Sequence, residues 1–285
     1  MINPKYVLFL GILAVSFASI LIRLSDAPPL VIATFRLGLA GFLMLGFTVF
    51  KGEVRELKVK RRDLKALILA GFFLAIHFSS WITSLSYTSI ASSVLITDSS
   101  PIFVVVLSYL VLRERISRVA IFGILISILG GGFIALSDSN LSGNLYGDFL
   151  ALVGALSLAF YIVVARNLRG RMKLLPFVSM VYLAGFAFLL TFSLIMREKL
   201  SGYPFREYLL FFLLALGPSC IGHTSYNYCL KYLKAAVVSV SILGEPVGAT
   251  LLAILIFYEI PTSMIVLGGI FVIFGILLVV GEAKA

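Results

Sequence analysis

Few side chains in this sequence can do chemistry, and most of those few stand inside long apolar runs. Arg36 lies in VIATFRLGLA, His77 in FLAIHFSSW, Asp98 in LITDSSP, His223 in GPSCIGHTSYNYC and Glu245 in SILGEPVGAT. A charge carried within a membrane-spanning helix costs roughly 2.5–3.5 kcal/mol on insertion scales, so each such residue asks for a partner or a use. At about 1.5 Å of rise per residue, Arg36 is about 10 Å in from Pro29, and Asp98 about 12 Å in from Ile90. The matched depths predict an intramembrane charge pair, Arg36–Asp98. It reads either as a structural tie between two helices or as a site for a substrate carboxylate or a proton, since a guanidinium fork suits carboxylates.

His77 and Glu245 fall near the middle of their runs, as do Pro101 and Pro246. Proline removes a backbone donor and breaks or kinks a helix, which frees polar backbone groups. A lone carboxylate at that depth must be protonated or paired, so Glu245 either caps the freed groups at the kink or exchanges a proton. The third apolar run carries His77 and Trp81, and the eighth carries His223, Tyr226 and Asn227. Aromatic rings with polar edges suit an amphipathic solute. The plainer readings are satisfied core histidines and, for Trp81, an anchor at the membrane interface. We expect His77, Trp81, His223, Tyr226, Asn227 and Glu245 to line one cavity flanked by helix breaks at Pro101 and Pro246. No metal site or disulfide is expected, because the two cysteines, Cys220 and Cys229, have no CxxC spacing. HExxH, GxSxG and Walker A sequences are absent, so neither a recognisable enzyme nor ATP-driven pumping is expected, and no cofactor.

The elements that must position these residues follow from composition. Hydrophobic residues make up 61% of the 285, with mean hydropathy +1.11. Soluble domains average about 45–50% apolar residues. Runs of about 20 apolar residues per span place helices at 6–24, 29–50, 64–86, 90–112, 117–136, 147–165, 174–196, 208–230, 235–258 and 261–281. The runs do not alternate in polarity, which excludes the strands of an outer-membrane barrel. No A-x-A-like site follows the first run, which reads as a retained helix. With the N-terminus inside, 18 of the 23 basic residues fall on the inner face, from Lys5 through the Lys51–Lys65 group to Lys284. The positive-inside rule then puts both termini in the cytoplasm of a multi-pass plasma-membrane protein. The net charge of +10 is thereby topological. Nucleic acid is not an expected partner; the lipid bilayer is, and a homo-oligomer is compatible with the sequence.

The chain also repeats itself. Pro101 and Pro246 stand 145 residues apart, and the same offset carries Tyr87 to Tyr232, Ala91 to Ala236, Glu114 to Glu259, Gly123 to Gly268 and Gly130 to Gly275. Five spans per copy is an odd number, so the second copy enters the membrane from the opposite side. The expected fold is an all-α membrane protein of ten transmembrane helices in two inverted-topology five-helix repeats, 1–136 and 147–285, joined by an external connector at 137–146.

The run Tyr87-Thr88-Ser89-Ile90-Ala91-Ser92-Ser93, continued through Ser100-Pro101 to Leu112-Arg113-Glu114-Arg115-Ile116, resembles the fourth-helix signature of the drug/metabolite transporter superfamily, EamA branch. The second copy repeats it as Tyr232-Leu233-Lys234-Ala235-Ala236, Glu245-Pro246 and Tyr258-Glu259-Ile260. Phe35-Arg36-Leu37 is similar to the family's second-helix start, with Leu37 in place of an aromatic residue. The resemblance implies two inverted five-helix halves and a secondary transporter, often an exporter, of small metabolites such as amino acids by alternating access. Proton coupling through Glu245 is compatible with it. A channel or receptor-like membrane protein is the alternative, and an intramembrane enzyme a more distant one. A phosphorylated substrate would want more buried cations than Arg36 alone.

Overall fold

The computed structural model describes residues 2–88, 93, 96–136, 144–257 and 261–282. The described elements are helical throughout. They are α1 (Pro4–Arg23), α2 (Pro29–Phe50), α3 (Arg61–Ser84), α4 (Ser100–Leu112), α5 (Arg118–Leu136), α6 (Leu145–Arg169), α7 (Leu174–Ile195), α8 (Phe205–Cys229), α9 in two pieces (Ala235–Ile242 and Gly244–Phe257) and α10 (Ser263–Glu282). Among the described residues, eight helices are long and apolar enough to cross a membrane; Ser100–Leu112 and Arg118–Ile134 are apolar but shorter. Most of the 137–146 connector, the Ser89–Ser92 stretch of the family signature, Tyr258-Glu259-Ile260 and Lys284 lie outside the described residues.

Local chemistry sets the helix starts. Pro4, Pro29 and Pro101 occupy the first turns of α1, α2 and α4, where a missing N–H costs nothing. Asn3 accepts from the Lys5 N–H at 3.0 Å, and Asn144 from that of Tyr146 at 3.0 Å, so each caps the helix that follows it. Four of the described helices are not regular. α1 is interrupted at Ser16, α9 at Leu243, α4 ends in a π-helical turn over Ser108–Leu112, and α8 widens into a π-helical stretch over Ala215–His223 that contains Pro218.

Glycines let the helices approach closely, and the approach is symmetric. A Cβ on Gly123 would meet Gly275 O at 2.8 Å, and one on Gly130 would meet Gly268 O at 2.5 Å. Gly123 and Gly268 are repeat equivalents, as are Gly130 and Gly275, so α5 and α10 meet by exchanging equivalent positions in an antiparallel contact. The same exchange joins α2 to α7: Gly38 faces Phe186, and Gly41 faces Leu183. Small residues at such crossings serve van der Waals packing, which drives helix association in lipid.

Polar contacts gather at the two ends. At one end Lys173 pairs with Glu56 at 3.1 Å, Arg171 with Asp63 at 3.3 Å and Arg166 with Glu114 at 2.8 Å. There too the Tyr228 hydroxyl donates to Ile2 O at 2.9 Å. These contacts bring the N-terminus and the loops after α2, α4, α6 and α8 to one end, which holds most of the basic residues. At the other end Glu207, buried at the start of α8, accepts from the Ser25 hydroxyl and from the Asp26 N–H, and Arg206 pairs with Asp26 at 3.3 Å. Large apolar side chains such as Phe42, Leu110, Leu129 and Leu277 face outward between the two ends.

Candidate functional site

Arg36 is 1% exposed, on the inward face of α2. Its Nε donates to Ser219 Oγ at 3.0 Å, and its guanidinium lies 4.2 Å from the centre of the Phe78 ring. Ser219 reaches it because the π-helical stretch around Pro218 turns that part of α8 toward α2; such stretches recur at functional sites. The expected direct pair with Asp98 does not form: no hydrogen bond and no ion pair within 4.0 Å joins Arg36 to Asp98. Helix geometry explains the difference. Equal depth does not bring two side chains together when they point to different neighbours, and Nε is taken by α8. Glu245 lies near Arg36, Asp98 and Tyr226 in the same part of the bundle.

The chain turns at Asp98–Ser99 and again at Leu243. Asp98 and Ser99 form a turn immediately before α4, with Pro101 in that helix's first turn. Glu245 and Pro246 occupy the first turn of the second piece of α9. Each acid therefore sits at the N-terminal end of a helix, where the dipole favours negative charge. Both are half-buried, and the Glu245 carboxylate has no hydrogen bond or ion pair with any described residue. Arg36 Nη1, Thr97 Oγ1, Asp98 Oδ2 and the Tyr226 hydroxyl are buried without a hydrogen-bond partner among the described residues. A buried polar atom left unsatisfied costs about 1–3 kcal/mol, so a cluster of them calls for water or a polar ligand.

Aromatic rings bound the cluster. His77 stacks parallel to Trp81 with centroids 6.0 Å apart, and Phe78 meets His223 edge-on at 5.3 Å. His223 in turn meets Tyr226 edge-on at 6.0 Å. His77 Nδ1 lies 3.0 Å from Gly154 O; a carbonyl only accepts, so Nδ1 carries a proton and donates it there. Trp81 is 7% exposed, which places it within the bundle and not at its outer surface. Gly154 packs under Trp81 as Gly11 packs under Tyr226, and Trp81 and Tyr226 are repeat equivalents.

Asn227 stands apart from the others. It is 0% exposed, its Nδ2 donates to the Tyr161 hydroxyl at 2.7 Å and to His223 O at 2.9 Å, and its Oδ1 lies 2.9 Å from the same hydroxyl. Arg169 Nε donates to its backbone carbonyl at 2.9 Å. Its polar atoms tie α8 to α6 and are not turned to the cluster. Sequence reasoning missed Ser219, Tyr161 and Arg169. Pro218 was the available signal for Ser219, as a third proline within an apolar run.

A model of the EamA-like transporter family matches residues 5–136 and again 145–281. The chain belongs to the EamA-like transporter family. It is 27% identical over 271 residues to the uncharacterised transporter YdfC of Bacillus subtilis, covering 94% of this chain and 87% of that one. It is 28% identical over 228 residues to the uncharacterised inner membrane transporter YedA of Escherichia coli K12, covering 79% and 72%. An uncharacterised transporter of Archaeoglobus fulgidus is 26% identical over 267 residues, covering 93% of each chain. A solved crystal structure superposes with a TM-score of 0.85 at 18% identity, covering 98% of this chain and 97% of that one, which establishes the fold. This EamA-family chain is thus a multi-pass membrane transporter.

The family signature also ends at a defined contact. Glu114 Oε1 accepts from Arg166 Nε at 2.8 Å, while Oε2 accepts from the Ala235 N–H at 3.1 Å. The acid closing α4 thereby caps the start of α9. Arg166 Nη1 donates to Leu230 O at 2.6 Å, and Lys234 Nζ to Arg115 O at 2.8 Å. Beside this latch lies a cavity of about 400 Å³, remote from the Arg36–Glu245 cluster.

Proposed function

We propose that the chain is a secondary transporter, acting as an exporter of small organic solutes such as amino acids, by alternating access around the cluster at the two helix breaks. The observation that carries this reading is the set of unsatisfied groups there. Arg36 Nη1 offers a donor to a substrate carboxylate; Asp98, Glu245 and the Tyr226 hydroxyl offer acceptors to an ammonium group. His77, Trp81 and His223 supply aromatic walls. A zwitterion brings one cation and one anion, so it would satisfy a site built from one cation and two acids with one negative charge left over. That remaining charge is what a coupled proton would neutralise, and Glu245, free of fixed partners, is our candidate for carrying it.

We further infer ten spans in two inverted halves, with the basic end cytoplasmic and the host membrane the plasma membrane. The exchange of equivalent positions across α5–α10 and α2–α7 supports the inversion, and the clustering of Lys and Arg at one end supports the orientation. In that orientation the Glu114–Arg166 latch closes the cytoplasmic end. The test is counterflow of a panel of labelled amino acids in proteoliposomes. Saturable exchange by the wild type and its loss in Arg36→Gln would support the reading; no exchange with any zwitterion, or exchange unaffected by Arg36→Gln, would overturn it.

A further inference from the structure

The cavity beside the latch lies apart from the cluster and shares Arg166 and Lys234 with the latch. Its walls are apolar: Ile116 from the segment before α5, Ala120 from α5, Val237 from α9 and Val279 from α10. Its rim is cationic, formed by Arg166 and Lys234. Lys234 is exposed and spends one of its three N–H donors on Arg115 O, which leaves two for a ligand. At about 400 Å³ the space falls within the ~300–1,000 Å³ of small-molecule sites. An ion would fill only part of it and would gain nothing from the apolar walls.

We propose that this cavity binds one acidic phospholipid, with the phosphate at Lys234 and Arg166 and the glycerol and first acyl carbons against the α5–α9–α10 walls. The location fits such a ligand. The cavity lies at the basic end, where polar loops give way to apolar helix, and the α5 residues Val119 and Phe122 beside it are exposed as lipid-facing residues would be. Basic pockets between helices at this level are suited to anionic headgroups, and a neutral headgroup would lack the net charge that the rim calls for. The shared chemistry is a phosphate monoanion on a cationic rim. The walls select the lipid over a soluble phosphate.

Native mass spectrometry of the full chain tests this with three probes: phosphatidylglycerol, phosphatidylcholine of the same acyl chains, and soluble glycerol 3-phosphate. The wild type should retain one phosphatidylglycerol in preference to the other two. Lys234→Glu changes the rim by two charges and should weaken that binding about thirtyfold, at about fivefold per surface charge. Lys234 is exposed, so the variant should fold; its thermal midpoint without lipid should fall only slightly, by the loss of one exposed hydrogen bond to Arg115 O. Lys199→Glu, at the opposite end, should bind like the wild type. Equal retention of phosphatidylcholine, equal protection by glycerol 3-phosphate, or full retention by Lys234→Glu would each overturn the lipid site. None of these readouts involves transport, so they stand or fall apart from the proposed substrate chemistry.

Discussion

Two neighbours on α8 show how one helix turn can carry opposite duties. The Tyr226 hydroxyl is buried and has no hydrogen-bond partner among the described residues, whereas the side-chain amide of Asn227 is fully engaged by Tyr161 and His223 O. Removing an orphaned hydroxyl removes a cost; removing an engaged amide creates one. Tyr226→Phe should therefore leave the thermal midpoint unchanged or slightly raised while weakening solute binding in counterflow. Asn227→Ala should cost about 1–3 kcal/mol of stability by leaving Tyr161 unpaired, with little change in apparent affinity for the molecules that remain folded. Melting curves and counterflow KM values measured together decide it, and the reverse pattern would show that Asn227, not Tyr226, faces the solute. Glu245 makes a third case. Glu245→Gln keeps a polar group but cannot titrate, so transport driven by a pH gradient should fail while solute exchange at equilibrium survives. Persistence of pH-driven transport in that variant would make Glu245 a structural cap on the second piece of α9.

The helix breaks were legible because proline writes itself into the backbone: Pro101 and Pro246 both fall in the first turn of a helix restart. The partners of the site were less legible. Arg36 meets Ser219 because a π-helical stretch in α8 crosses α2 at that level, and no spacing within either run encodes a crossing between them. The latch was half legible. Glu114 marked the repeat by its 145-residue offset from Glu259, but its two partners, Arg166 and the Ala235 N–H, come from elements that only the packed bundle brings together. One side chain thus holds the end of α4, the end of α6 and the start of α9. A conformational cycle that opens this end must break those contacts. Glu114→Ala should bias the protein toward the state open at the basic end, read as faster alkylation of Ala236→Cys by an impermeant maleimide in inverted vesicles. An unchanged rate would mean that the latch holds the helices in every state and gates nothing.

At the scale of the whole molecule, sequence and structure meet in the 145-residue offset. Composition announced membrane helices, and the offset announced a duplication; the antiparallel contacts of Gly123 with Gly275 and Gly130 with Gly268 are compatible with the inverted pair of halves we propose. The orientation of that assembly in a membrane follows from charge. The Lys51–Lys65 group, Arg113, Arg115, Arg166 and Arg171 gather at one end, together with the N-terminus, while the loop Arg197–Pro204 lies at the other. Basic loops are retained on the cytoplasmic side, so the first end should be inside and the second outside. Single cysteines at Lys58 and Ser201 test this in intact cells, since the native Cys220 and Cys229 are both buried. Ser201→Cys should react with an impermeant maleimide from outside, and Lys58→Cys should react only after the membrane is opened. Labelling of Lys58→Cys in intact cells would invert the molecule. It would also move the Glu114–Arg166 latch to the external face, so that the state seen here would be closed to the outside and open, if anywhere, toward the cytoplasm.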